Sequence, residues 1–122
     1  MSDEAVRAAR RAVEAFFEGF NGRDDQAMRV AMNFPHVRLA SGRVRTVDRA
    51  EDFSTPFERL AEIEGWDHST LDACDLVHAG ADKVHFDVTF SRYHADGEKY
   101  ATHRSLWILT KLDEHWGVQA RS

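Results

Sequence analysis

Seven histidines in a chain of 122 residues are the first candidates for chemistry, because imidazole gives and takes a proton near neutral pH. They stand at His36, His68, His78, His85, His94, His103 and His115. No two of them have the helical spacing of a zinc-binding pair or another compact ligand arrangement. His85 and Asp87 share one face of a strand, but that face lies opposite Phe86 and is expected to be the outer one, so no metal site is expected. His68 follows Trp66 by two residues, and strand alternation puts imidazole and indole on the same face. His68 and His36 are the candidate proton shuttles, each needing a nearby carboxylate to orient its ring; the competing reading is a solvated or backbone-bonded histidine. The lone cysteine, Cys74, cannot form an internal disulfide and reads as a small buried residue. Glycine-rich phosphate loops and a nucleophile elbow are both absent, so neither a nucleotide nor any other cofactor is expected.

Composition narrows the setting for these residues. Sixteen basic and twenty-one acidic side chains give a formal charge of -5 and a pI near 5.8, which argues against nucleic acid as a partner. With 43% hydrophobic and 30% charged residues, two prolines and seven glycines, the chain is neither disordered nor low-complexity, and one domain over residues 1–122 is expected. The start of the chain lacks the basic-then-apolar order of a secretory signal, and no apolar run approaches the roughly 18 residues of a membrane span. Together with the single cysteine this gives an expected cytoplasmic location.

Three helices and a long run of strands must position the candidates. Val6, Ala9, Val13, Phe16, Phe17 and Phe20 recur at spacings of three and four between charged residues, which is the pattern of an amphipathic helix. Asn21-Gly22 ends it, both residues tolerating a left-handed conformation. Asp24 or Asp25 caps a short second helix carrying Met28 and Met32 on one face, which Pro35 terminates. From His36 the period changes to two, with Val37 and Leu39, then Val44 and Val47, flanking Ser41-Gly42 in a small hairpin. Asp48 with Glu51 and Thr55 with Glu58 fit capping boxes, and a third helix starts near Pro56 and stops at Gly65. After Trp66 four long antiparallel strands follow, broken at Gly80-Ala81-Asp82, Ala95-Asp96-Gly97 and Asp113-Glu114. In the clearest of them Val84, Phe86, Val88 and Phe90 form a wholly apolar face that covers a core.

This order resembles the nuclear transport factor 2-like superfamily, whose SnoaL-like and ketosteroid isomerase-like members share a cystatin-like cone. The likeness also rests on Met32-Asn33-Phe34-Pro35-His36-Val37 entering the first strand. It continues in Leu106-Trp107-Ile108-Leu109, which leads through Asp113-Glu114-His115-Trp116-Gly117 to the last strand. The resemblance implies an α+β fold, with three N-terminal helices packed in the concave face of a curved, mostly antiparallel sheet. It further implies a pocket between them and a homodimer through the convex face. The isomerase roles are empty here. The first strand offers Val37, Arg38, Leu39 and Ala40 where a carboxylate base would stand, the fifth offers Ile108 for the oxyanion acid, and Phe16 or Phe17 replaces the tyrosine.

The fifth strand decides which residues enter the cone. A two-residue turn at Asp96-Gly97 puts Trp107 opposite Phe86 and inside, whereas a three-residue turn puts Ile108 there and turns Arg104 inward. Turn chemistry favours the first register. The superfamily pattern, aligned through Asp113-Glu114-His115, favours the second, and the expectation follows it. Trp107, Leu109, Trp116 and Val118 would then form a convex dimer patch. The expected pocket is mostly apolar, lined by Phe17, Trp66, His68, Phe86, Phe90, Arg104, Ile108 and Gln119, and suited to a compact organic anion or a carbonyl compound, whose carboxylate or enolate oxygen Arg104 would bind. Two other functions stay open: a lyase or isomerase using His68 or His36, and a non-catalytic assembly module whose cone is plugged by Phe17, Phe86 and Phe90.

Overall fold

The structure is a computed structural model describing residues 2–122. Helix α1 (Ser2–Asn21) buries Ala5, Ala9, Ala12, Val13, Phe16 and Phe17 along one stripe and leaves Arg7, Arg11, Glu14 and Glu18 in water. Asp3 and Glu4 in its first turn complement the positive end of the helix dipole. The left-handed residue after the helix is Arg23 (φ 53°), not Asn21 or Gly22. Helix α2 (Asp25–Val30) is capped by Asp24, whose carboxylate accepts the Ala27 N–H at 3.1 Å. It ends well before Pro35, and Met32 already belongs to strand β1 (Met32–Ala40).

The hairpin to β2 (Arg43–Val47) turns at Ser41 and Gly42, both with positive φ. A 3-10 turn (Ala50–Asp52) follows, without a side-chain cap from Asp48. Thr55 also fails to cap: its hydroxyl reaches the Met28 sulfur, and its N–H donates to Asp25. Helix α3 (Phe57–Arg59) continues as a π-helical turn (Leu60–Glu64) and stops at Gly65. Gly65 has φ 71°, and a Cβ there would lie 2.7 Å from the His94 ring, so two independent constraints require glycine. Strands β3 (His68–Ala79), β4 (Lys83–Tyr93), β5 (Lys99–Leu112) and β6 (His115–Arg121) complete a six-stranded sheet in the order β2-β1-β6-β5-β4-β3. Among the described residues only β1 and β6 run parallel. They approach so closely that a Cβ on Gly117 would lie 2.6 Å from the Met32 backbone.

The concave face holds α1, and the register of β5 against β4 is the main correction to the sequence reading. The connecting loop is the three-residue one, Ala95-Asp96-Gly97, with Gly97 at φ 90° and His94 N–H bonded to Glu98 O at 2.9 Å. Tyr93 then pairs with Lys99, but Arg92 pairs with Ala101, so Tyr100 is an extra, unpaired residue. This bulge returns the strand to the other parity. Phe86 faces Trp107, and Trp107, Leu109 and Val118 are buried at 1%, 0% and 0% exposure with Trp116 packed against them. The four residues expected to form a convex patch therefore belong to the core side. Ile108 and Arg104 face outward instead, and Arg104 forms a bidentate pair with Asp87 at 2.6 to 3.1 Å.

Phe86→Ala should destabilise the protein by about 3–5 kcal/mol, because the ring is fully enclosed between sheet and α1. Arg104→Ala should leave the melting temperature almost unchanged. Thermal or denaturant unfolding of the two variants checks the assignment of faces, and the reverse ranking would overturn it.

Candidate functional site

A cavity of about 360 Å³ opens between α1, the β1–β2 hairpin and the segment leading into α3. Strand alternation on β1 and β2 sends His36, Arg38, Arg45 and Val47 into it, since His36 pairs with Val47 and Arg38 with Arg45. Arg92 enters from β4 and Arg121 from the end of β6, while Phe53, Pro56 and Leu60 form the opposite wall. That wall is tied down by Arg29, which donates twice to the Phe53 carbonyl at 3.0 and 2.6 Å.

The cavity carries excess positive charge. Four guanidinium groups (Arg38, Arg45, Arg92, Arg121) meet two carboxylates, Glu64 and Asp52, and Asp52 is already paired with Arg49. Glu64 Oε1 accepts from Arg92 at 2.8 Å and from Tyr100 at 3.1 Å. Arg121 has no carboxylate partner among the described residues. Its head lies over the faces of Phe16 (4.9 Å) and Trp107 (5.6 Å), and its Nε–H donates to His36 Nε2 at 3.1 Å. The cavity still reaches the side chain, yet burial, followed by repulsion from Arg38, lowers its pKa to about 9. Burial, then Arg92 and Arg45, likewise lowers Arg38.

His36 is held neutral by the same arrangement. Its Nδ1 lies 3.1 Å from the Val118 carbonyl and must carry the proton, so Nε2 is the lone pair that accepts from Arg121. Burial first, and the Arg121 charge second, push its pKa down to about 4. With both nitrogens engaged and a cation beside it, His36 is placed as a neutral support for Arg121 rather than beside a carboxylate that would orient it for proton transfer.

No protein-family model matches the chain, and neither does any curated protein. Solved structures do match. An NTF2-like protein with a cystatin-like fold from Novosphingobium aromaticivorans superposes with a TM-score of 0.76 at 10% identity, over 97% of this chain and 79% of that one. A ketosteroid isomerase-like protein from Erwinia carotovora atroseptica gives 0.67 at 17% identity, over 94% and 91%. A protein from Catenulispora acidiphila in complex with S-DNPA gives 0.69 at 10% identity, over 98% and 92%. The fold is NTF2-like.

Within this NTF2-like cone the residues expected to line a pocket separate into three groups. Phe17 and Phe90 lie together, ring centroids 5.3 Å apart, on a small chamber below the main cavity. Phe86 and Trp66 are core: Phe86 is fully enclosed, and Trp66 packs on Phe20 and Phe57 while donating to Ser69 Oγ at 3.0 Å. His68, Arg104, Ile108 and Gln119 lie away from the cone interior. His68 stacks on Tyr93 at 4.8 Å beside Asp67 on the surface. Gln119 bonds Thr110 and the Pro35 carbonyl on the outer side. The bulge at Tyr100 explains Arg104 and Ile108, while His68 faces outward because it pairs with Tyr93 on the outer side of β4. Among the described residues no metal-binding group of three ligands occurs, and no helix is long and apolar enough to cross a membrane.

The sequence reading missed Arg38, Arg92 and Arg121. Two carried a signal: Arg38 shares the His36 face of β1, and Arg92 continues the Phe86, Phe90 face of β4. Arg121 carried none, because a register irregularity between Ile108 and Leu109 separates it from the regular alternation of β6.

Stability should fall on acidification. The unfolded His36 titrates near 6.5 and the folded one near 4, so between these values the unfolded chain binds the extra proton. The contribution of neutral His36 is complete above about pH 6.5 and is lost as pH drops towards 4, a loss of about 3 kcal/mol. His85 and His103, also lowered chiefly by burial, act in the same direction. Denaturation midpoints between pH 7 and 4.5 should show this slope, and His36→Gln should flatten it.

Proposed function

We propose that this protein, as one domain over residues 1–122, binds a compact organic anion in its cone, with Arg121 as the anchoring cation and Arg38 and Arg92 beside it. The observation that carries the reading is the Arg121 guanidinium at the cavity wall, half-buried over the Phe16 and Trp107 rings, bonded through Nε to His36 and without a carboxylate partner among the described residues. A partly desolvated cation in that state is unfavourable unless a bound anion completes it. The Catenulispora acidiphila protein in complex with S-DNPA supports a small-molecule role for this architecture. A histidine in contact with a carboxylate inside the cavity would have favoured the lyase or isomerase reading; His68 has such a contact only on the surface. A wholly filled cone would have favoured the assembly reading. Phe86 and Trp107 do fill its floor, but the cavity above them stays open.

Calorimetric titration with benzoate and phenylacetate tests this. Arg121→Met should weaken binding at least about ten-fold, since a charged hydrogen bond contributes about 1.5–3 kcal/mol; Arg121→Lys should retain part of it, and Arg104→Met should have no effect. Equal affinity in Arg121→Met, or no carboxylate binding by the wild type, would sink the reading.

Two further parts of the reading rest on other observations. We infer a homodimer through the convex face, supported by the exposed cross-strand pair Leu39 and Val44 (50% and 71%) on β1 and β2 and by Leu106 (41%) on β5. Sedimentation at micromolar concentration should give a dimer that Leu39→Glu dissociates; a wild-type monomer overturns it. The cytoplasmic location is supported by Cys74, half-buried, with burial pushing its thiol up to about 11 and away from disulfide chemistry.

A further inference from the structure

Two N–H groups in the cone are sealed from solvent and have no acceptor: Nε1 of Trp107 and Nε of Arg92. Leaving a buried donor unpaired is unfavourable by about 1–3 kcal/mol, so two in one place call for an explanation. Both residues line the same chamber of about 40 Å³ beneath the main cavity. Ser69 adds a third donor. Its Oγ accepts the Trp66 indole N–H at 3.0 Å, and its own proton has no protein acceptor among the described residues. Arg38 and Arg121 border the chamber and bring positive charge, and no carboxylate or side-chain carbonyl lines it. The remaining wall is phenylalanine.

A chamber whose lining side chains are rich in donors and include no carboxylate or amide carbonyl suits an occupant that accepts hydrogen bonds. Water matches it poorly, because water also brings two protons that need acceptors. The volume exceeds the roughly 10–15 Å³ that one water needs, yet is far too small for the body of an organic molecule. Space for a body lies directly above, since Phe16, Phe20, Arg38, Arg92 and Arg121 line both the chamber and the 360 Å³ cavity. We propose that the chamber is the carboxylate seat of the cone: the ligand enters head-first, Trp107, Arg92 and Ser69 donate to its oxygens, and its body occupies the cavity between Arg38 and Leu60. This rests on the anion-binding reading above and adds the orientation, together with Trp107 and Ser69 as specificity-determining donors. The competing orientation leaves the carboxylate at the mouth, on Arg38 and Arg45.

The test uses the full chain, benzoate as the probe and benzyl alcohol as its neutral counterpart. Trp107→Phe keeps an aromatic ring but removes the donor, and Ser69→Ala removes the hydroxyl. Each should weaken benzoate about five- to ten-fold, the loss of one hydrogen bond to a charged group, and leave benzyl alcohol within about two-fold. In nitrogen-labelled wild-type protein, the Trp107 indole N–H resonance should move downfield on adding benzoate, while that of Trp116 stays put. This readout does not depend on either variant folding. If benzoate binds and Arg121→Met weakens it, but the Trp107 resonance does not move and Trp107→Phe binds normally, the head-in orientation is wrong and the anion-binding reading stands. If iodide moves the resonance without competing with benzoate, the chamber is a halide site and the proposal falls. If no carboxylate binds the wild type, both readings fall together.

Discussion

One surplus residue in β5 governs the interior of this protein. Without Tyr100, the three-residue loop after β4 would carry Leu106 and Ile108 into the cone and leave Trp107 and Leu109 in water. The bulge reverses that, and its position is anchored. The Tyr100 ring stacks on His94 at 4.3 Å, and its hydroxyl donates to Glu64 at the end of the π-helical turn. Glu64 in turn holds Arg92 at the cavity wall. The parity of a strand, the end of a helix and the placement of a cavity cation are thus set by one connected group of side chains, in which a change at any member is felt at the others.

The arginines set a polar upper cone against an apolar floor. Trp107, Phe16 and Phe86 fill the floor with apolar area, which stabilises the fold, while Arg38, Arg92 and Arg121 keep the upper part polar at a cost in desolvation. The lowered basicity of Arg38 and Arg121, together with that of His36, is the mark of positive charges crowded without enough negative ones. On the proposed reading, an anion entering the cavity would relieve all of them at once. The neutral state of His36 belongs to the same balance: a protonated ring there would add another cation beside Arg121.

Element order was legible because it rests on local pattern. The stripe of α1, the Asp24 cap, the Ser41-Gly42 turn and the apolar face of β4 each follow from a few neighbouring residues. The faces of β5 were not legible in the same way. Parity there depends on where one residue is inserted, and Tyr100 is inserted because of Glu64 and His94, which are distant or across a loop. The pocket follows the register, so simple alternation places Arg104 inside and gives no sign of Arg121. Trp66 and Phe86 were recognised as inward-facing, but whether an inward residue lines a void or fills it depends on the packing of α1 and α3 above it. Arg38 and Arg92 are within reach of simple alternation, but the apolar neighbours that share their faces read as core.

The strand order leaves β2 and β3 as open edges, and the chain treats each as a hazard to be blunted. Strand β2 is only five residues long and carries Arg43 and Arg45, so two such edges from separate copies repel before their backbones can pair. Strand β3 is long, with Leu76 and Val77 exposed, and would invite cross-chain pairing if it were flat. It is bent by two register shifts, one between Leu71 and Ala73 and one between Leu76 and His78, and it carries Asp72 and Asp75. Straightening β3, by removing either irregularity, would turn a protected border into a template for aggregation without touching the cone at all.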